Sequence, residues 1–292
     1  KRINDVLNHG KYIMGPEVFE LEEKLASYVG VKNCVSCSSG TDALLIPLIA
    51  KGIGKGDAVF TTPFTYIATA EVVDLLGAEP VFVDIYPKTY NINPDKIESA
   101  IQLAKDKGLV PKAIIPVDLF GLPARYRMIE KIAKKHDLFI VEDSAQSFGG
   151  LIKSRKAGSF GHVGSTSFFP AKPLGCYGDG GAIFTNDNSL AQKMSSIRAH
   201  GGGSNKYQNI RTGINGRLDT IQAAILLEKL IIFDEELKKR NEIANYYQEN
   251  INEKFLKPIV PSQYRSSWAQ YSLVAESREA RASIMVKLNS RN

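Results

Sequence analysis

The sequence predicts an α/β fold: a seven-stranded, mostly parallel sheet covered by helices on both faces, then the start of a smaller C-terminal α+β domain. Three observations predict it. Short apolar runs rich in Val, Ile and Phe alternate with helical stretches from residue 16 onward. The runs are nearly continuous in hydrophobicity, as strands buried on both faces are. After residue 217 the alternation gives way to one helical periodicity over roughly thirty residues, a length that often bridges domains.

In order, GPEVFELEEKLASYVG spaces Val18, Leu21, Leu25 and Tyr28 along one helix face, with Gly30 where a cap belongs. NCVSCS reads as the first strand, and GTDALLIPLIAKG as a helix starting near Thr41. DAVFTT, EPVFVDI, KAIIPV, LFIVED, STSFF and GAIFT complete seven strands. TYIATAEVVDLLG, NPDKIESAIQLA and PARYRMIEKIAKKH are the helices among them, the second opened by Asn-Pro. KPIVPSQYRSSWAQYSLVAES follows the long helix and reads as part of a small domain with a strand. The first segment, KRINDVLNHGK, and the last, REARASIMVKLNSRN, both read as mid-helix, so both natural termini are expected to lie beyond this chain.

Composition narrows the function. The chain has 292 residues, 43% hydrophobic and 23% charged, enough for a sizeable core. No window approaches the ~18 apolar residues of a membrane span, and the start is no secretory signal. The net charge is +6, but the basic residues are scattered, which argues against nucleic acid and suits small anionic ligands. Cys34 and Cys37 form a CxxC, yet no second pair follows and the four histidines are dispersed, so a zinc site is not expected. Reduced core thiols and an odd cysteine count fit a cytoplasmic protein.

In open parallel sheets, ligands bind beyond the carboxyl ends of the strands. After the first strand, SSGTDAL offers Gly40 and Thr41 at a helix N-terminus, a seat for phosphate, although the fragment taken alone reads more simply as a plain Ser/Thr cap. Neither a P-loop nor a dinucleotide GxGxxG is present, and GIGKG leads into a strand as a turn. Tyr66 follows the second strand. Glu142, Asp143 and Gln146 follow LFIV, and a carboxylate there is costly without a cationic partner or a capping role. In FFPAKPLGCYGDGG, Lys172 stands between Pro170 and Pro173, which fix the backbone. Gly180 and Gly181 admit another backbone or a flat ligand. A phosphate seat, an aromatic, a buried acid and a held lysine together suit pyridoxal 5′-phosphate, whose pyridine nitrogen needs a carboxylate and whose aldehyde needs an amine.

These motifs, with GKYIMGPEV, TPFTYIATAE, GAEPVFVDI, KAIIPVDLFG, VEDSAQSFGG and GINGRLDTIQAAIL, run in order over nearly the whole chain. In them the chain closely resembles the DegT/DnrJ/EryC1/StrS family of sugar aminotransferases, of fold type I. The resemblance implies a large domain over residues 1–232, a small domain begun over 233–292 and incomplete here, and a homodimer with shared active sites. It makes Lys172 the Schiff-base lysine and pairs Asp143 with the pyridine nitrogen. Gln146 would meet the ring hydroxyl, and Tyr66 would stack on the ring. Gly40, Thr41 and Ser167 would hold the phosphate, with Asn215 reaching it from the other subunit. The implied reaction is ping-pong: L-glutamate gives up its amino group, leaves as 2-oxoglutarate, and a keto group on a nucleotide-linked sugar receives the nitrogen. The wording around Lys172 is most like members acting at C3 of a UDP-2-acetamido-3-oxo-hexuronic acid. Arg217, two residues after Asn215, is then a candidate for the substrate carboxylate, or an arginine pairing locally. Aminotransferases of dTDP- or UDP-linked 3- or 4-keto-6-deoxy sugars are close alternatives. Sugar dehydratases of the same fold carry histidine in place of the lysine. A nicotinamide-dependent reductase would explain Tyr28 and Lys32 as Tyr-x-x-x-Lys, but Gly30 interrupts that pair. A non-enzymatic module would not need Asp143 and Lys172.

Overall fold

In the computed structural model the apolar runs form one seven-stranded sheet. The structure describes all residues except Ser204, Lys206 and Asn292. The elements are α1 (Arg2–His9), α2 (Pro16–Val29), β1 (Asn33–Cys37), α3 (Gly40–Lys51), β2 (Asp57–Thr61), α4 (Ala68–Asp74), β3 (Glu79–Phe82), α5 (Ile97–Asp106), β4 (Val110–Ile114), α6 (Tyr126–His136) and β5 (Phe139–Asp143). After them come a small hairpin, β6 (Leu151–Ile152) and β7 (Arg155–Lys156), then β8 (Val163–Ser167), β9 (Gly181–Thr185), α7 (Asn188–Arg198), α8 (Thr220–Asn250), β10 (Tyr264–Arg265) and α9 (Arg278–Asn289).

The sheet order is β1-β9-β8-β5-β4-β2-β3. Among the described residues, β9 is the sheet strand that runs antiparallel to its neighbours, β1 and β8; the other pairs are parallel. Side chains alternate between the two faces, as the pleat requires. Val35, Cys37, Val59 and Val141 pack beneath α3 and α7 in one core. Cys34 and Phe184 pack against α2 and α8 on the other face, and Phe60, Ile114 and Ile140 against α5 and α6. Cys34 and Cys37 therefore lie on opposite faces of β1, both buried and both free thiols. Burial pushes both thiols well up from the ordinary range, so they stay protonated.

α2 ends where Gly30 takes a left-handed φ of 84° and donates its N–H to Ala26 O. α8 is unbroken from Thr220 to Asn250, so residues 232 and 233 lie within one helix. The strand expected after it is β10, which pairs with β6. No helix among the described residues is long and apolar enough to cross a membrane.

Candidate active site

The antiparallel turn of β9 decides where the lysine goes. β8 ends at Ser167, and the chain must return to Gly181 beside it, because Ser167 pairs with Gly181. The connection 168–180 therefore stays at the carboxyl edge of the parallel strands, and Lys172 with it. Within the loop, Phe168 N–H donates to Gly180 O at 2.7 Å, Cys176 N–H to Phe168 O at 2.7 Å and Lys172 N–H to Phe169 O at 2.8 Å. A side chain on Gly181 would strike the Ser39 carbonyl, so the glycine pair admits a second backbone there. These constraints hold the Lys172 turn without help from its side chain.

A cavity of about 460 Å³ opens at this edge, lined by Gly40, Thr41, Tyr66 and Asp143. Gln146, Ser167 and Lys172 complete the same wall. Seven of the nine residues singled out in the sequence thus meet in one place. Asn215 and Arg217 do not line it. Arg217 lies on an adjoining groove of about 500 Å³ with Ser38, Ser39 and Asp179, and Asn215 is exposed beside it.

At the phosphate seat, Ser39 caps α3, its hydroxyl accepting from Asp42 N–H at 3.1 Å. Gly40 and Thr41 occupy the first helical positions, whose N–H groups have no acceptor within the helix. Gly40 cannot be replaced cheaply: a Cβ there would lie 2.6 Å from Ser167 Cβ. The missing side chain lets the helix start sit against Ser167, and the two elements share one concave wall.

Asp143 is buried, with 7% of its surface exposed. Its Oδ2 accepts from the Thr69 hydroxyl at 3.0 Å and its Oδ1 from Ala145 N–H at 3.2 Å. The capping role and the cavity role therefore coexist. Burial raises its pKa above the usual carboxylate range, against the pull of Ala145 N–H and of the Lys172 charge. Of the two ways to offset a buried acid at this strand end, a cationic partner or backbone N–H groups, Glu142 takes the second. The pleat turns Glu142 to the other face, where Gly158 N–H at 2.5 Å and Phe160 N–H at 2.7 Å satisfy it instead.

Gln146 is oriented by its neighbour. Phe120 N–H donates to Gln146 Oε1 at 2.6 Å, so the amide nitrogen is the end left for the cavity, and it has no protein partner among the described residues. Ser147, next in the chain, donates to buried Asp118 at 2.7 Å, which also accepts from Tyr126 O–H and Ala124 N–H, each at 2.8 Å. Tyr66 is 69% exposed at the cavity mouth, its ring free to cover a planar ligand.

Asn215 and Arg217 are tied to each other: Arg217 Nε donates to Asn215 Oδ1 at 2.9 Å. That contact leaves the Asn215 amide nitrogen and both Arg217 Nη groups without partners among the described residues. The arm they stand on is anchored by buried Arg198. Its carbonyl accepts from Gly216 N–H at 2.9 Å, and its guanidinium pairs with Glu22 and donates to Ser36 O at 2.7 Å. Ser38 N–H in turn donates to Gly216 O at 3.0 Å. The arm and the phosphate edge are therefore one unit, and breaking the buried pair would cost about 3–5 kcal/mol.

Sequence reasoning missed Thr69 and Gln270. Thr69 braces Asp143. Gln270, well beyond the long helix, lines the cavity with Ala269 because Ser267 docks on Gln146 O at 2.6 Å. Neither carries a local signal; both arrive through tertiary packing.

The residues present fit pyridoxal 5′-phosphate. A concave helix start kept open by Gly40 suits its phosphate, and a buried carboxylate raised by burial suits its ring nitrogen. An amide N–H aimed into the cavity suits its ring oxygen, and an amine on a held turn suits its aldehyde. Among the described residues, no cluster of side chains could hold a metal ion.

Comparison with known proteins agrees. A model of the DegT/DnrJ/EryC1/StrS aminotransferase family matches residues 1–292. The chain is 50% identical over 279 residues to the UDP-2-acetamido-2-deoxy-3-oxo-D-glucuronate aminotransferase of Pseudomonas aeruginosa, covering 95% of this chain and 76% of that protein. The crystal structure of a DegT DnrJ EryC1 StrS aminotransferase from Brucella abortus superposes with a TM-score of 0.95 at 53% identity, over 98% of this chain and 77% of that one. NtdA from Bacillus subtilis, solved with bound cofactor PMP, matches with a TM-score of 0.89 at 33% identity, over 99% of this chain and 65% of that one. On its cavity, its fold and these matches, the chain belongs to the DegT/DnrJ/EryC1/StrS aminotransferase family.

Proposed function

We propose that this aminotransferase uses pyridoxal 5′-phosphate to move an amino group from L-glutamate to C3 of a UDP-linked 2-acetamido-3-oxo-hexuronic acid. The observation that carries the reading is the meeting of Lys172, Asp143, Gln146 and the α3 start on one cavity wall. The likeness to the Pseudomonas enzyme supports the choice of sugar.

When bound, the cofactor supplies an aldehyde carbon and a ring that accepts electrons. Gly40 and Thr41 N–H groups and the Ser167 hydroxyl would hold its phosphate, and Asp143 would balance a protonated ring nitrogen. Gln146 would donate to the ring oxygen, and Tyr66 would cover the ring. The Lys172 amine would serve as the nucleophile toward that aldehyde carbon, and as a free amine it would hold the proton moved between the substrate and cofactor carbons. One residue thus serves both half-reactions, in opposite directions. A cytoplasmic setting is part of the proposal, supported by the free, buried thiols. So is the division into a large domain over 1–232 and a smaller one over 233–292.

Arg217 is assigned the uronate carboxylate. Its Nε is held by Asn215, so its two Nη groups present a fixed fork, which lysine cannot copy. Arg217→Lys is expected to raise KM for a UDP-3-oxo-uronic acid tenfold or more, at about 1.4 kcal/mol per decade, and to leave KM for a neutral 3-oxo sugar nearly unchanged. Steady-state kinetics on both acceptors check this. Equal effects would remove the carboxylate role, and unmodified enzyme confined to 6-deoxy-ketosugars would overturn the choice of sugar.

The site is also proposed to be shared in a homodimer, Asn215 reaching the phosphate of the neighbouring subunit with its free amide nitrogen. Asn215→Ala subunits mixed with Lys172→Ala subunits are then expected to recover activity, because each heterodimer holds one intact site. Re-associated mixtures with no activity would show that each subunit completes its own site.

A further inference from the structure

The turn that carries Lys172 is closed on itself by main-chain hydrogen bonds, but those bonds do not fix it against the rest of the cavity. Among the described residues, no main-chain N–H donates to the carbonyl of Pro173, the next residue, although Pro173 is buried. A buried carbonyl needs a donor. The donor comes from the long helix: Arg240, within α8, gives an Nη2 hydrogen to Pro173 O at 3.2 Å. Its chain neighbour Asn241 holds a second part of the wall. Asn241 Oδ1 accepts from Trp268 Nε1 at 3.1 Å, and its amide nitrogen donates to Leu237 O at 2.7 Å. The segment gripped by Asn241 is the one that seats Ser267 on Gln146 O and brings Gln270 to the cavity. Consecutive residues of one helix therefore support both the Lys172 turn and the segment behind Gln146.

Arg240 is poorly suited to a purely stabilising role. Its Nη1 is buried and has no hydrogen-bond partner among the described residues. Burial lowers the pKa of its guanidinium from the usual value, with Glu236 opposing the shift. A desolvated arginine with one donor unmet is costly to the fold. What it supplies in return is a fixed carbonyl one residue beyond Lys172. Fixed position matters there, because misplacing a reacting group by about 1 Å can cost about 100-fold in rate.

We propose that Arg240 is a positioning residue: through Pro173 O it holds the Lys172 amine where the aldehyde carbon of the cofactor must arrive. This rests on the reading of Lys172 as the residue that bonds the cofactor, and adds what holds that lysine in place. Arg240 acts through the turn and touches neither cofactor nor substrate.

The test adds two forms of the cofactor to the full chain freed of cofactor. With pyridoxal 5′-phosphate, the Lys172 nitrogen bonds the aldehyde carbon and water leaves, and stopped-flow absorbance follows the visible band that results. Pyridoxamine 5′-phosphate has the same ring and phosphate but no aldehyde, so its dissociation constant reports the cavity without a bond from Lys172. Arg240→Met is expected to slow band formation at least about tenfold and to leave the pyridoxamine 5′-phosphate constant within about twofold. Arg240→Gln, too short to reach Pro173 O, is expected to do the same. Arg240→Lys keeps the charge, the reach and a donor, and is expected to restore the rate to within about threefold of the unmodified protein. An unchanged rate in Arg240→Met and Arg240→Gln would overturn the positioning role. So would an equal loss of pyridoxamine 5′-phosphate affinity, which would mean a distorted cavity. Unmodified protein whose borohydride-fixed label lies on another lysine would overturn the reading of Lys172 itself, a result distinct from labelling of Lys172 at full speed in every Arg240 variant.

Discussion

Lys172→Ala is expected to abolish turnover and to leave the fold in place. Lys172 stands between two prolines that fix its backbone and lines the same cavity as Asp143 and Gln146. On the proposed reading two roles would be lost together: the amine that meets the aldehyde, and the base that moves the proton between carbons. General acid–base catalysis alone is worth about 10²–10⁴-fold, and the nucleophilic role adds to it. The backbone should not notice, because its turn is closed by main-chain hydrogen bonds from Lys172, Cys176 and Phe168. The variant should therefore keep an unchanged melting temperature and still retain cofactor through Gly40, Thr41, Ser167 and Asp143. Near-normal transamination rates would sink the assignment.

Asp143→Asn is expected to lower the rate by about 10²–10³-fold, the usual range for removing one preorganised electrostatic partner. Asparagine can still accept from Ala145 N–H and meet the Thr69 hydroxyl, so the geometry survives while the charge opposite the ring nitrogen disappears. The pH dependence follows from the raised pKa of Asp143. Only the ionised form balances a ring cation, so activity of the unmodified enzyme rises with pH as this carboxyl ionises, and the Asn variant loses that acidic limb. Stability runs the other way. In the protein without cofactor the folded pKa lies above the unfolded one. The stabilisation from the protonated form is thus present at low pH and lost as pH rises through the folded pKa. Asparagine does not ionise, so the cofactor-free variant should melt no lower than the unmodified protein at neutral pH. Glutamate half-reaction rates over a pH series, with melting curves alongside, check both statements. Unchanged half-reaction rates would make the carboxylate structural.

The architecture was largely legible because each strand of the sheet is a compact apolar run flanked by helical periodicity. The site residues were legible for the same reason: those at strand ends, from Gly40 to Lys172, inherit a common edge from the topology. What stayed hidden depends on chain direction and packing. GAIFT looks the same running either way, so only its pairing with Ser167 reveals the antiparallel β9 that brings Lys172 back to the site. Glu142 and Asp143 are adjacent acids in sequence, and the pleat sends one to backbone N–H groups and the other to the cavity. Arg240 and Pro173 lie 67 residues apart along the chain, and their meeting is purely tertiary.

The most direct measurement of the central claim is borohydride reduction of the purified holoenzyme, followed by peptide mapping. The expected result is a visible absorbance band that reduction removes, with the pyridoxyl phosphate mass fixed on the peptide carrying Lys172 and on no other. A label on a different lysine, or an enzyme active without any reducible band, would contradict it.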